Sequence, residues 1–263
     1  MHLLQALNSA DVRNPNDVLA FRCDHKGITK FIDAYFHQDQ LWIIIEKCTG
    51  GSFSSVLDKR ANGLTEPEVQ TCAYQLLDAV QYLHSLKIIH RDINAANTLL
   101  GGDGVVKLAD FGVSAFSKKN KQSTFIGSPM WMAPEVIKCE TDPKNVYTNK
   151  CDVWSLGITL IEFADGVPPN HDLHPAKAIM KITAGGLPKL KDPSKWTPTF
   201  SKFLSRILVR DPTVRPAALE LLADPFTSGQ NVPQRLKAIV DGTSPSRPSE
   251  PPLGAPGAPP GKF

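Results

Sequence analysis

The sequence predicts an α+β domain that is mainly helical, with a strand ahead of its helices. Three observations carry this. Residues 41–45, LWIII, form a continuous apolar run of strand length. Residues 66–85 place Val69, Cys72, Ala73, Leu76, Leu77, Val80 and Leu83 at helical spacing. Residues 152–164, DVWSLGITLIEFA, are apolar on most sides, the pattern of a helix enclosed by a core.

Taken in order, residues 1–16 are polar and turn-rich around Asn14-Pro15-Asn16 and are expected to be poorly ordered. The LWIII run predicts a buried strand, ended by Lys47-Cys48-Thr49-Gly50-Gly51. Thr65-Glu66-Pro67-Glu68 fits a capping box with proline in the first turn, which starts the helix over 66–85. Short strands are expected at 98–100 and 105–108, around a Gly101-Gly102-Asp103-Gly104 turn. Further helices fit 175–184, 199–209 and 216–222, the last opening at Pro216. From 241 onward the composition changes: seven prolines and four glycines in 23 residues, without apolar periodicity, predict a disordered tail. Pro245-x-x-Pro248 and Pro248-x-x-Pro251 have the spacing of an SH3 ligand, though a plain linker is the simpler reading.

Composition narrows the function classes. The chain has 263 residues, 41% of them hydrophobic, enough for one domain with a sizeable core. The net charge of +3 is spread without a block of like charges, so neither nucleic acid nor an anionic membrane is an expected partner. Cys23, Cys48, Cys72, Cys139 and Cys151 are odd in number and widely spaced, which argues against a disulfide framework or zinc site and for reduced thiols in a cytoplasmic protein. No run approaches the roughly 20 apolar residues of a membrane span, and the N-terminus lacks the basic region of a signal peptide.

The chemistry lies in three short motifs. His90-Arg91-Asp92 is followed by Asn97, then by Asp110-Phe111-Gly112, then by Ala133-Pro134-Glu135. Each triplet alone is weak; in this order and spacing they form the signature of phosphoryl transfer from ATP. That reaction needs positioned groups and charge neutralisation more than covalent help. Asp92 is the candidate to accept or orient the substrate hydroxyl proton. Asp110 and Asn97 supply the hard oxygens that Mg²⁺ prefers.

From about Leu19 to Phe226 the chain resembles the sterile-twenty group of protein kinases, and within it the germinal-centre branch of the Ste20-like and lymphocyte-oriented type. The match is carried by HRDINAANTLL, KLADFGVSAF, STFIGSPMWMAPEVI, CDVWSLGITLIEFADGVPP, DPTVRPAALELLADPF, DHKGITKFIDAYFHQDQLWIIIE and the PSKW of 193–196. The resemblance implies a kinase-like fold with a helical C-lobe and the remnant of a β-rich N-lobe. It implies a kinase domain over 17–226, with the partial N-lobe at 17–46 and the C-lobe at 49–226, and a Pro-rich disordered tail over 227–263. ATP and Mg²⁺ are the implied cofactors and protein substrates the implied partners. Kinases of this kind can dimerise by exchanging activation segments, so a homodimer is also among the implied assemblies.

Residue roles follow from the same resemblance. Ile45 takes the gatekeeper position, and Glu46 and Cys48 the hinge whose backbone meets adenine. Leu99 would pack under the adenine ring. His90 and Phe111 take regulatory-spine positions. Arg91 is placed to pair with a phosphate on the activation segment, at Thr124 first and Ser123 second. Glu135 and Arg215 would form a buried ion pair, and Asp152 would accept hydrogen bonds from the catalytic-loop backbone.

The pattern also breaks. No G-x-G-x-x-G and no V-A-I-K precedes the hinge strand, and only 45 residues lie ahead of Glu46, so the strands covering ATP and the lysine gripping its phosphates are expected to be absent. Lys26 and Lys30 come too late to substitute. Asn16 or Pro15 falls at the family's N-lobe glutamate, with Asp17 the nearest acid. Asn94 stands where this branch has lysine, which keeps a donor and loses a charge. Ser128 replaces a threonine and keeps the hydroxyl. Two readings result: a serine/threonine kinase, or a non-catalytic scaffold that keeps the kinase shape. The unpaired edge of the LWIII strand is an expected weakness in either.

Overall fold

The computed structural model describes residues 3–6, 23–38, 40–60, 62–116, 122–142 and 144–245. The front of the molecule is an antiparallel sheet of β1 (Leu3–Ala6), β3 (Gln40–Ile45) and β2 (Phe31–His37), in the order β1-β3-β2. Two expectations are corrected here. The LWIII strand does not lack partners: it is central, with Leu3 opposite Ile44 on one side and Ala34 opposite Ile43 on the other. Nor is it buried throughout. Trp42, Ile43 and Ile44 are half-exposed and Ile45 alone of the four is buried, because among the described residues this sheet is a single layer, with Ile32 and Tyr35 also exposed. Part of the expected unstructured lead is likewise a strand, since four of its residues form β1. The LLQA stretch is short, and its pairing comes from the β3 edge rather than from its own pattern. The rest of 1–16, beyond 3–6, lies outside the described residues, as do Pro15, Asn16 and Asp17.

Behind the hinge come β4 (Gly51–Ser52) and α1 (Phe53–Asp58), then α2 (Glu66–Ser85). Ser52 caps α1 by accepting the Ser55 N–H at 3.3 Å. Glu68 holds the start of α2: its carboxylate accepts the Thr65 N–H at 2.6 Å and the Thr65 hydroxyl at 2.8 Å. Next are β5 (Ile88–Ile89), β6 (Thr98–Leu100), β7 (Val106–Leu108) and β8 (Ala115–Phe116). β4, β6 and β7 form one small sheet, β5 and β8 another. His90-Arg91-Asp92 and Asp110-Phe111-Gly112 therefore both lie on loops between short strands, and the strands set their separation.

The remainder is helical: α3 (Pro134–Thr141), α4 (Lys150–Asp165), α5 (Pro175–Ala184), α6 (Pro198–Ile207), α7 (Ala218–Leu222) and α8 (Pro233–Val240). Every residue of α4 from Cys151 to Ala164 is buried, so this helix is the axis of the core. Phe163 of α4 stacks on Phe53 at 4.6 Å, and Phe200 stacks on Phe226 at 4.7 Å. α7 begins after Pro216, because Glu220 reaches back to the Ala217 N–H at 2.8 Å and makes Ala217 the cap.

A disordered segment from 227 onward is also corrected. Leu236, Ile239 and Val240 share one helical face, Leu236 is fully buried, and α8 packs on α2. Residues 246–263 lie outside the described residues, and with them most of both proline motifs.

Candidate active site

The loop between β5 and β6 is held from below by one carboxylate. Asp152, fully buried near the start of α4, accepts the backbone N–H of His90 at 3.0 Å and of Arg91 at 2.8 Å, and the ring Nε2–H of His84 at 2.8 Å. Burial alone would raise its pKa, but the His84 hydrogen bond, the nearby histidines and the backbone donors outweigh burial and hold it below the ordinary aspartate value. Arg91 is thereby kept at φ +73°, a conformation that a side chain rarely adopts. His90 is completely buried; its Nδ1 accepts the Asp92 N–H at 3.3 Å, so its Nε2 donates to the Ala109 carbonyl at 3.1 Å. Burial lowers its pKa and keeps the ring neutral. Phe111 meets that ring edge-on at 5.1 Å.

Asp92 is gripped on both oxygens. Oδ1 accepts the Ser128 N–H at 2.9 Å and the Asn94 amide at 3.2 Å, and Oδ2 accepts the Asn97 amide at 2.7 Å. The Asn97 amide nitrogen also reaches the Asp92 carbonyl at 2.9 Å. Because a carboxylate only accepts, Asn97 must turn its nitrogen to Asp92, which leaves its Oδ1 free of any described hydrogen bond. Asp110 is exposed at φ +60°, and one of its oxygens accepts the Gly112 N–H at 3.1 Å. An amide oxygen and an exposed carboxylate are a hard-oxygen set that fits Mg²⁺. Among the described residues no group of three or more His, Cys, Asp or Glu could hold a metal without help, so these two ligands suit an ion completed by phosphates and water.

At the hinge, Ile45 is buried at 6% exposure and Cys48 at 4%. Burial, then the Glu46 charge, pushes the Cys48 thiol up to about 11, so it is no nucleophile. The Glu46 side chain is occupied away from the site, accepting from Lys107 Nζ at 2.9 Å and the Lys30 N–H at 2.7 Å. The Glu46 carbonyl and the Cys48 N–H make none of the described hydrogen bonds. Leu99 lies on the central strand of the second sheet, half-buried, opposite Lys107 and Ser52.

The activation segment leaves Ser123 and Thr124 exposed. Tyr147, which sequence reasoning missed, ties this region together: its hydroxyl donates to the Thr124 carbonyl at 2.9 Å and accepts from Arg91 Nη1 at 3.4 Å, while Arg91 Nε donates to the Val113 carbonyl. Gly127 has φ +118°, and a Cβ there would meet the Arg91 carbonyl at 2.5 Å, so only glycine lets this segment lie against the catalytic loop. Below it, Glu135 and Arg215 form a buried two-point pair at 2.7 and 3.1 Å, with the guanidinium 5.2 Å above the Trp154 ring. Glu162 was missed too. Its carboxylate accepts the Trp131 indole N–H at 2.9 Å and the Ala95 N–H at 3.1 Å, joining the segment before α3 to the catalytic loop. The available signal was one acid in an apolar run.

Residues 11–227 match the protein kinase domain family. The chain belongs to that family. Within it the kinase domain is sterile-twenty-like, and the α+β architecture above is its kinase-like fold. It is 48% identical over 226 residues to Serine/threonine-protein kinase 10 of Danio rerio, covering 85% of this chain and 23% of that protein. It is 45% identical over 233 residues to Serine/threonine-protein kinase dst1 of Dictyostelium discoideum, covering 88% of this chain and 31% of that protein. With Myosin-IIIa of Homo sapiens it shares 41% over 220 residues, 80% of this chain and 14% of that protein. The chain thus spans about a quarter of the length of the kinase 10 relative. Among the described residues of this kinase domain no helix is long and apolar enough to cross a membrane.

Proposed function

We propose that this kinase domain binds Mg²⁺–ATP and directs the γ-phosphate to serine or threonine hydroxyls of protein substrates in the cytoplasm. The observation that carries the reading is Asp92 fixed by three donors, Asn97 among them, with the strand end that leads into Asp110 tied to Asn97 by the Ala109 N–H at 2.9 Å. Asp92 orients the acceptor hydroxyl and takes its proton. Asn97 and Asp110 hold the metal, and the Glu46 carbonyl and Cys48 N–H face the adenine, between Ile45 and Leu99. Bound Mg²⁺–ATP supplies the phosphoryl group and the charge that the metal neutralises. The position of Ser128 beside Asp92 suits a serine or threonine substrate, and exposed Thr124, linked through Tyr147 to Arg91, suits control by phosphorylation. The kinase domain is taken as 17–226. An SH3-type partner for the proline motifs and a homodimer remain part of the same proposal.

The scaffold reading rests on a specific observation. Asn94 spends its amide on Asp92 and Ser128 and offers no positive charge to the transferring phosphate.

The deciding experiment is Mg²⁺–ATP binding to the purified chain by calorimetry, beside Asp110→Asn. Binding at millimolar strength or tighter, lost in the variant, supports the kinase reading and calls for turnover assays. No binding by the parent chain overturns it for this polypeptide and leaves the scaffold.

A further inference from the structure

Beyond the active site, the segment after α8 is fastened beside the start of α2 through Ser244 and Pro245. Gly242 at φ +71° ends α8, and the N–H groups of Thr243 and Ser244 both bond the Ala238 carbonyl at 2.9 Å. This turn aims the Ser244 hydroxyl at Glu68, to which it donates. The same Glu68 oxygen takes Arg60 Nη1 at 2.9 Å, and Arg60 Nη2 donates to the Pro245 carbonyl at 2.8 Å. Glu68 is only 3% exposed, and its other oxygen is used by Thr65 in the capping box. Ser244 is half-buried and Pro245 exposed.

We propose that Ser244 is a phosphoacceptor for a proline-directed protein kinase, and that phosphorylation releases residues 242–245 from α2. The recognised pair is Ser244-Pro245. Pro245 has no N–H, so its release breaks only the bond from Arg60 to its carbonyl, and it biases Ser244 towards the extended backbone. In the step itself Ser244 Oγ attacks the γ-phosphorus of ATP. The new O–P bond forms as the bond to the β,γ-bridging oxygen breaks, ADP departs, and the hydroxyl proton goes to the modifying kinase's base.

The product cannot keep the native contact. Oγ no longer donates, and a phosphate of charge about −1.5 to −2 would stand against a buried carboxylate. Arg60 is drawn to the phosphate as well, which weakens its pair with Glu68. Beside the strap lies a cavity of about 330 Å³ reaching from Ser244 and Val240 to Lys59, Thr49 and Gly50. Release would uncover the two residues that follow the hinge, so the modified segment communicates with the nucleotide side of the domain.

The test uses the full chain carrying Asp110→Asn, so that it adds no phosphate itself, incubated with a mitogen-activated-class kinase and Mg²⁺–ATP. One phosphate on Ser244 by mass spectrometry is expected, absent in Ser244→Ala and at least tenfold slower in Pro245→Ala. Amide exchange over 236–245 should then accelerate at least tenfold, with α4 unchanged. Failure to modify Ser244 while a 240–250 peptide is modified would overturn the site. Full modification with unchanged exchange would overturn the release. Ser244→Ala should melt close to the parent, which shows that loss of phosphate is not loss of fold.

Discussion

Glu162 lies inside the most enclosed helix of the molecule and yet accepts two hydrogen bonds, from Trp131 and Ala95. Burial pushes its carboxyl from 4.5 up to about 7, and those two donors only partly offset this. Its pKa is therefore higher folded than unfolded. Between about pH 4.5 and 7 the folded chain holds a proton that the unfolded chain has released. This stabilisation is complete below the lower value and is lost as pH rises through the upper one. Glu162→Gln keeps an oxygen for both donors and cannot ionise. Urea titrations of the variant should show that slope removed, and above pH 7 a gain of up to roughly 3 kcal/mol. An unchanged slope would mean that Glu162 is ionised in the folded chain. Asp152 behaves oppositely: its lowered pKa makes its contribution persist until pH falls through that lowered value. At this scale the motif residues were legible because phosphoryl transfer demands those residue types in that order. Tyr147, His84 and Glu162 were not, because each acts on a residue more than 20 positions away.

Among the elements, α2, α4 and α5 could be read almost to the residue, because proline caps and an unbroken apolar period are local signals. α8 and β1 could not. The α8 stripe is only Leu236, Ile239 and Val240 beside a proline-rich tail, and only the face of α2 makes it a buried surface. Leu236→Ala should cost about 2–4 kcal/mol in denaturant midpoint multiplied by slope; a cost under about 0.5 kcal/mol would show α8 undocked in solution. Glu135 and Arg215 join α3 to the turn before α7. Arg215→Ala leaves a buried carboxylate unpaired and should cost about 3–5 kcal/mol. Changing both residues to apolar ones of similar volume should cost much less, and a double-mutant cycle reads the difference. Equal losses in the single and double variants would place the effect in Trp154 packing instead.

At the scale of the whole molecule, the helical body and the front sheet differ in cover. α4 is enclosed on all sides, whereas β2 and β3 leave Ile32, Tyr35, Trp42, Ile43 and Ile44 at least partly open. Local opening should therefore be easier in the sheet. Amide exchange is expected to be at least a hundredfold faster in β1–β3 than in α2 and α4. Equal protection would contradict this account and point to cover on the sheet from residues outside those described.

The amino-acid order was enough to place the chain in the protein kinase family and to lay out the body of the fold, since family motifs and helical periodicity are both written over short stretches of chain. It also revealed that Asn94 sets this domain apart. Folding settled what depends on distant partners: that LWIII gains strands on both flanks, that Asp92 is held by Asn94, Asn97 and Ser128 together, and that residues up to 245 are fastened to α2. Those contacts join positions 36 and 176 residues apart in two cases, Ser128 on Asp92 and Ser244 on Glu68. No local pattern encodes such a pairing, because its free energy comes from burying and satisfying polar groups that only the assembled core brings within reach.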